Sequence, residues 1–153
     1  MNYEVRCATP EEAYIIAQQR RSMFQDMGES DQAKLDDMTA KSLPWLSQNL
    51  TSQQYLGWFV IAEGGEIAGG AGLWLIDWPP TMMDLNGPRG MLLNVFVEAQ
   101  HRRKGLARKL TETAIEWCRE HHVAIMVLHA SPAGRPLYEQ IGFRPTNEMR
   151  LML

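Results

Sequence analysis

Residues 95–110, VFVEAQHRRKGLARKL, limit the possible folds more tightly than any other stretch of this chain. A β-prone apolar run, Val95-Phe96-Val97, gives way to a cationic loop with one glycine, and a good helix-forming sequence starts at once. A strand feeding a helix through so short a link is half of a crossover unit, and the apolar run at 123–129 supplies its returning strand. Such a connection is parallel and right-handed. The same junction aims backbone N–H groups and a helix dipole at one spot, which suits phosphate oxygens. Arg102, Arg103 and Lys104 add charge there, and Gly105 either lets a ligand approach the backbone or takes an unusual φ. Leu106 and Ala107 open the helix. The spacing fits neither the dinucleotide-binding nor the P-loop glycine pattern.

The rest of the chain reads in order around this unit. Residues 3–7 alternate, as a first strand does. Thr9 caps a helix with Pro10 at its first position, and Glu11 and Glu12 complement its dipole. Ala13, Ile16, Ala17, Met23, Phe24 and Met27 keep helical spacing until Gly28 ends the run. A polar linker at 29–34 precedes a second helical stretch from about Leu35, interrupted at Pro44. A strand at 57–63 and a return strand from 66 to about 78 flank the hairpin signal Gly64-Gly65. Gly69, Gly70 and Gly72 within the return strand indicate a bulge or the close approach of another backbone. A strand at 91–97 follows the loop Asn86-Gly87-Pro88. The helix after the basic turn carries Leu106, Leu110, Ala114 and Trp117 on one face and closes at His121-His122. A buried strand at 123–129, a short helix from Ser131 through Gln140 and a last strand at 149–153 complete the order β-α-α-β-β-β-α-β-α-β. This is an α+β fold: a mixed, largely antiparallel sheet flanked by helices. With 153 residues, 45% of them hydrophobic, and no interdomain linker, a single domain across 1–153 is expected.

Charge and composition narrow the function. A net charge of -3 argues against bulk attraction to nucleic acid or to an anionic membrane, although positive charge concentrates at 101–109. A nucleic-acid module would also need a stacking aromatic array, which the sequence lacks. No stretch approaches the roughly 20 apolar residues that span a bilayer. The first residues lack the charged-then-apolar build of a signal peptide, which points to the cytoplasm. Cys7 and Cys118 lie far apart without metal-type spacing and read as two buried thiols in a reducing compartment.

A second motif shifts the weight of these readings. In Leu137-Tyr138-Glu139-Gln140-Ile141-Gly142-Phe143, the apolar residues suit a core and Tyr138 an amphipathic rim. Arg-x-x-Gly-x-Ala at the strand–helix junction followed by Leu-Tyr-Glu-x-x-Gly-Phe resembles the GNAT family of acyl-CoA-dependent N-acyltransferases. The resemblance covers essentially the whole chain, and residues 5–13 look like the family's usual opening. It implies that the turn Arg102, Arg103, Lys104, Gly105, Leu106 and Ala107 wraps the pyrophosphate of acetyl-CoA. It further implies that the pantetheine arm pairs with the strand edge around Val95, Phe96 and Val97, where an amide polarises the thioester carbonyl. Tyr138 matches the tyrosine that protonates the departing thiolate. Ser131 and Gly134 stand where the family frequently has Asn and Ala; Ser131 can still hydrogen-bond to the cofactor, with shorter reach.

The implied chemistry is direct attack by a neutral primary amine in a ternary complex, without a metal. Many members use a glutamate on the fourth strand, but here that stretch reads Met91-Leu92-Leu93-Asn94. Asn94 can orient an amine or a water and cannot act as a base. Glu63, Asp77, Asp84, Glu98 and His129 remain as groups acting through water, none of them assigned. Acceptor selection is expected from the first two helices and from 78–90, with Phe24, Met27, Trp74 and Trp78 available to wall a pocket for a small amine, an amino acid or a peptide amine. Dimerisation is common in the family, and the sequence does not fix it. The alternative function is a non-catalytic acyl-CoA-binding or regulatory domain on the same fold.

Overall fold

Strand alternation places apolar side chains on both faces of one sheet, and helices cover each face in turn. The computed structural model describes residues 2–153. Its elements are β1 (Tyr3–Cys7), α1 (Ala13–Asp26), α2 (Gln32–Thr51), β2 (Tyr55–Ala62), β3 (Ile67–Ile76), β4 (Arg89–Val97), α3 (Leu106–Glu120), β5 (Ile125–Leu128) and α4 (Arg135–Ile141). The sheet order is β1-β2-β3-β4-β5. All neighbours are antiparallel except β4 and β5, the parallel pair joined by the α3 crossover. On one face, Trp58, Val60, Leu73 and Leu92 pack against Leu106, Leu110, Ala114 and Cys118 of α3. On the other, Tyr55 and Phe59 meet Ala13, Ile16 and Ala17 of α1 and Leu46 and Leu50 of α2. The consecutive residues Trp58, Phe59 and Val60 serve opposite faces in turn, the period of a strand buried on both sides.

The entry to α1 is a 3₁₀ turn at Pro10–Glu12. Glu12 accepts from the Thr9 N–H at 2.9 Å and from the Arg6 guanidinium at 2.7 and 3.0 Å. That fork holds the Glu12 carboxyl at about 2, far below its usual range. α2 is capped by Asp31, whose side chain accepts from the Lys34 N–H at 3.1 Å.

Four expectations are corrected. Pro44 does not interrupt the second helix, which runs unbroken through it. The missing N–H costs one backbone bond, while Leu35 before it and Leu46 and Leu50 after it are all buried, so packing holds both halves in line. The strand at 149–153 is absent: these residues make no ladder, and Met149, Leu151, Met152 and Leu153 are exposed. Alternation supplies strand propensity there, but a strand forms only where a neighbouring backbone offers bonds. β5 is half-buried rather than buried, because it is a sheet edge with β4 on one side only. Cys7 is exposed; only Cys118 is a buried thiol, its pKa pushed up to about 11 by burial.

Candidate functional site

The site begins where two strands part. β5 pairs with β4 only from Arg89↔Ile125 to Leu92↔Leu128, so residues 93–97 of β4 have β3 on one side and an open seam on the other. Within that stretch the β3 register jumps: Gly72 faces Leu93 and Gly70 faces Phe96. Asn94 and Val95 therefore share a single opposing residue, Ala71, which is a β-bulge. Asn94 sits at its centre with φ of +56°, a conformation asparagine tolerates better than most residues. The kink turns Asn94 toward the α1 side, while Val95 packs on the α3 side.

A buried polar network fixes the bulge. The Asn94 side chain is 6% exposed; its Oδ1 accepts from Arg20 Nη1 at 2.7 Å and its Nδ2 donates to the Tyr55 hydroxyl at 2.9 Å. Burial pushes the Tyr55 phenol up to about 12, so it stays neutral. The Tyr55 ring occupies the space above Gly72, where an added Cβ would lie 1.7 Å from the hydroxyl oxygen. Gly70 likewise makes room for the Gln19 side chain, whose Oε1 lies 2.5 Å from where a Cβ would be. The half-buried Arg20 guanidinium lies over Phe24 at 5.1 Å, and burial pulls its pKa down.

At the outer end of the seam lies the basic turn. Arg103 and Gly105 have φ of +61° and +74°, and alternation of this kind curls successive N–H groups into a concave nest. The helical ladder opens with Lys109 N–H to Gly105 C=O at 3.0 Å, which leaves the N–H groups of Leu106, Ala107 and Arg108 without helical acceptors. A Cβ at Gly105 would meet nothing within 4 Å, so the glycine answers to its positive φ and not to crowding.

The cations that the sequence groups together are separated by the structure. Arg102 donates through Nε to the Val97 carbonyl at 2.9 Å and through Nη2 to Asp26 at 2.5 Å, tying the end of α1 to the end of β4. Lys104 reaches the Tyr3 hydroxyl at 3.2 Å and the Gln100 carbonyl at 3.4 Å. Arg103 alone of the three is exposed with no partner among the described residues. Leu106 is buried as core, and Ala107 is half-buried.

α4 carries Tyr138, which packs against the core on the α3 side of the sheet. Its half-buried ring meets Phe143 edge-on at 5.9 Å, and burial raises its pKa. Its hydroxyl has no hydrogen-bond partner among the described residues. Ser131 Oγ accepts from the Gly134 N–H at 3.1 Å, so it closes the turn before α4. A 3.0 Å bond from Arg108 to Gln140 ties α4 to the start of α3.

On the α1–α2 side, Trp45 bridges Tyr55 and Trp74 at 5.9 and 5.6 Å. Phe24 is half-buried beneath Arg20, whereas Met27 and Trp78 are exposed. Of the groups available to act through water, Glu63 lies beside the β2–β3 turn, Asp77 follows β3, Asp84 sits in the 77–88 loop, Glu98 follows β4, and His129 bonds Glu148 at 2.7 Å. None of them bonds to Asn94, Tyr55 or Tyr138. Sequence reasoning missed Arg20, Tyr55, Gln19 and Trp45. The available signal was the pair of polar residues, Gln19-Arg20, on the apolar side of α1, with Gln19 only 5% exposed. Among the described residues, no group of three or more His, Cys, Asp and Glu is placed to hold a metal, and no helix is long and apolar enough to cross a membrane.

The family model described as Acetyltransferase (GNAT) family matches residues 17–143. A GCN5-related N-acetyltransferase from Ralstonia eutropha JMP134 is 33% identical and superposes with a TM-score of 0.93, covering 99% of each chain. A Clostridium acetobutylicum protein, solved with acetyl-CoA and described as a predicted acetyltransferase, has the same fold at a TM-score of 0.90, with 23% identity over 99% of this chain and 96% of its own. Human N-acetyltransferase 8 is 29% identical over 94 residues, 59% of this chain and 40% of the human protein's length.

Proposed function

The chain belongs to the acetyltransferase (GNAT) family, and on that premise we propose that it transfers an acetyl group from acetyl-CoA to a primary amine by direct attack in a ternary complex. One observation carries the reading: an unpaired strand edge with a bulge runs out at a nest of free N–H groups. The pantetheine arm lies along β4. One lone pair of the Val97 carbonyl is already taken by Arg102, and the Phe96 carbonyl is turned toward Gly69 on β3, so pairing with the arm falls chiefly to Val95. An amide at the bulge donates to the thioester oxygen, where negative charge develops during attack. The pyrophosphate sits on the N–H groups of residues 103–107, with Arg103 as the cation free to meet it. Arg102, Lys104 and Ser131 serve the cradle's shape.

The amine lone pair adds to the carbonyl carbon, the C–S bond breaks, and the thiolate takes a proton from Tyr138. The amine nitrogen gives its proton to water, and water returns one to the Tyr138 phenolate. The Tyr138 phenol is protonated at neutral pH, the state a proton donor needs, as an ordinary phenol is. Asn94 orients the incoming amine or its water, and Phe24 borders the acceptor space. The reading is tested by calorimetric titration with acetyl-CoA, then by thiol release against a panel of small amines and peptides. Micromolar binding and amine-dependent release are expected; no binding overturns it. The non-catalytic alternative draws on one observation, the lack of a carboxylate at the bulge, and predicts binding without any amine-dependent thiol release.

A further inference from the structure

Arg20 is the guanidinium in this chain whose surroundings explain it least. The other arginines of the α-helices each hold a carboxylate: Arg21 with Asp36 at 2.7 Å, Arg108 with Glu112 at 3.4 Å, Arg119 with Glu116 at 3.4 Å and Arg135 with Glu139 at 2.6 Å. Arg102, at the end of the seam, holds Asp26. Arg20 holds none among the described residues; its one hydrogen bond is to the neutral Asn94 amide. A guanidinium has five N–H donors in a fixed fork that matches a carboxylate, and drawing it partly out of water without an anion is unfavourable. Burial depresses the Arg20 pKa; only the Tyr55 phenol opposes that effect, and no carboxylate does. Phe24 beneath the guanidinium plane holds it in one orientation.

The position is as telling as the missing anion. Arg20 is bonded directly to the residue at the centre of the β4 bulge, from the α1 face of the sheet. We infer that the acceptor is an amino carboxylate and that its carboxylate docks on the Arg20 guanidinium while its amine reaches the bulge. This rests on the acetyl-transfer reading and narrows its acceptor from any primary amine to a small amino acid. Asn94 holds the guanidinium in place for this: its Oδ1 stays with Arg20 and its Nδ2 with the buried Tyr55 hydroxyl.

The test compares matched acceptors on wild type, Arg20→Met and Arg20→Lys by thiol release. The amino carboxylates are L-alanine, L-glutamate, β-alanine and γ-aminobutyrate; ethylamine, propylamine and O-phosphoethanolamine are the comparators. Wild type is expected to favour at least one amino carboxylate over its matched alkylamine. In Arg20→Met that preference ratio should fall about 10- to 100-fold, mostly through KM, as expected for charge-assisted hydrogen bonds. Arg20→Lys should restore part of it. Equal loss for every amine in Arg20→Met, or a wild-type preference for alkylamines or for O-phosphoethanolamine, overturns the inference. Should no amine release thiol, the transfer reading fails instead. Thermal shift by the same amino carboxylates then decides the carboxylate site independently: a shift in wild type that Arg20→Met loses supports it, and no shift in wild type overturns it.

Discussion

The bulge and the basic turn flank the same strand end and are built by opposite means. At the bulge, side chains do the work: Asn94, Tyr55 and Arg20 form a chain of hydrogen bonds away from water, packed against glycines that leave them no slack. At the turn, the backbone does it: Arg103 and Gly105 take positive φ, the N–H groups point outward, and most of the cations are spent on protein neighbours. The bulge is therefore part of the core, and damage to it reaches stability. The turn is peripheral to the core, and damage to it reaches binding.

Four substitutions or conditions put this contrast under strain. The largest effect is expected at Tyr138 of α4, the proposed proton donor. Tyr138→Phe should lower kcat by about 10²–10⁴ with little change in acetyl-CoA affinity, since acid catalysis is worth that much. Unchanged turnover in a steady-state assay removes Tyr138 from the mechanism. Next comes Gly72→Val, which drives a branched side chain into the Tyr55 ring and should destabilise the fold by about 3 kcal/mol in urea unfolding. A loss under about 1 kcal/mol would mean the bulge network is softer than its geometry indicates. Gly105→Val is the matching change at the turn. A β-branched residue resists a φ of +74°, so acetyl-CoA affinity should drop about 10- to 100-fold while stability falls by only about 1–2 kcal/mol. Retained affinity in calorimetry would refute the phosphate cradle.

The smallest effect tests a region outside both. The Glu12 carboxyl titrates at about 2 in the fold against an ordinary 4.5, so its bond to Arg6 stabilises fully above pH 4.5 and is lost as pH falls toward 2. Solvent screening limits this to at most about 1 kcal/mol. The acid limb of stability should flatten by that amount in Glu12→Gln, and an unchanged limb would show that the pair contributes nothing.

What the sequence disclosed depended on whether the signal was local. The crossover at 95–110, the helical start after Thr9 and the glycine stop at Gly28 are decided by neighbours in the chain, and the structure has all of them, the start as a 3₁₀ turn in which Glu12 accepts from the Thr9 N–H. The run Gly69, Gly70 and Gly72 announced a bulge or the close approach of a backbone; the bulge is there and the Phe96 backbone closes on Gly69, while the side chains of Gln19 and Tyr55 close on Gly70 and Gly72 from other elements. The network at Asn94 was half legible: the bulge residue could be named, its partner Arg20 lies on a distant helix. The tail at 149–153 failed for the complementary reason, since alternation states a preference and only a neighbouring backbone can satisfy it. Pro44 failed because propensity yields to packing on both sides.

Tyr55 and Gly72 form a single module written in two distant parts of the chain. The volume missing at one position is supplied by the other across adjacent strands, and the ring's outer atoms, not the hydroxyl alone, fill the gap. Any lineage of this chain can enlarge position 72 only after position 55 has given up its ring, and the reverse order passes through a collision. Mutational paths through this part of the sheet thus have a fixed direction of travel.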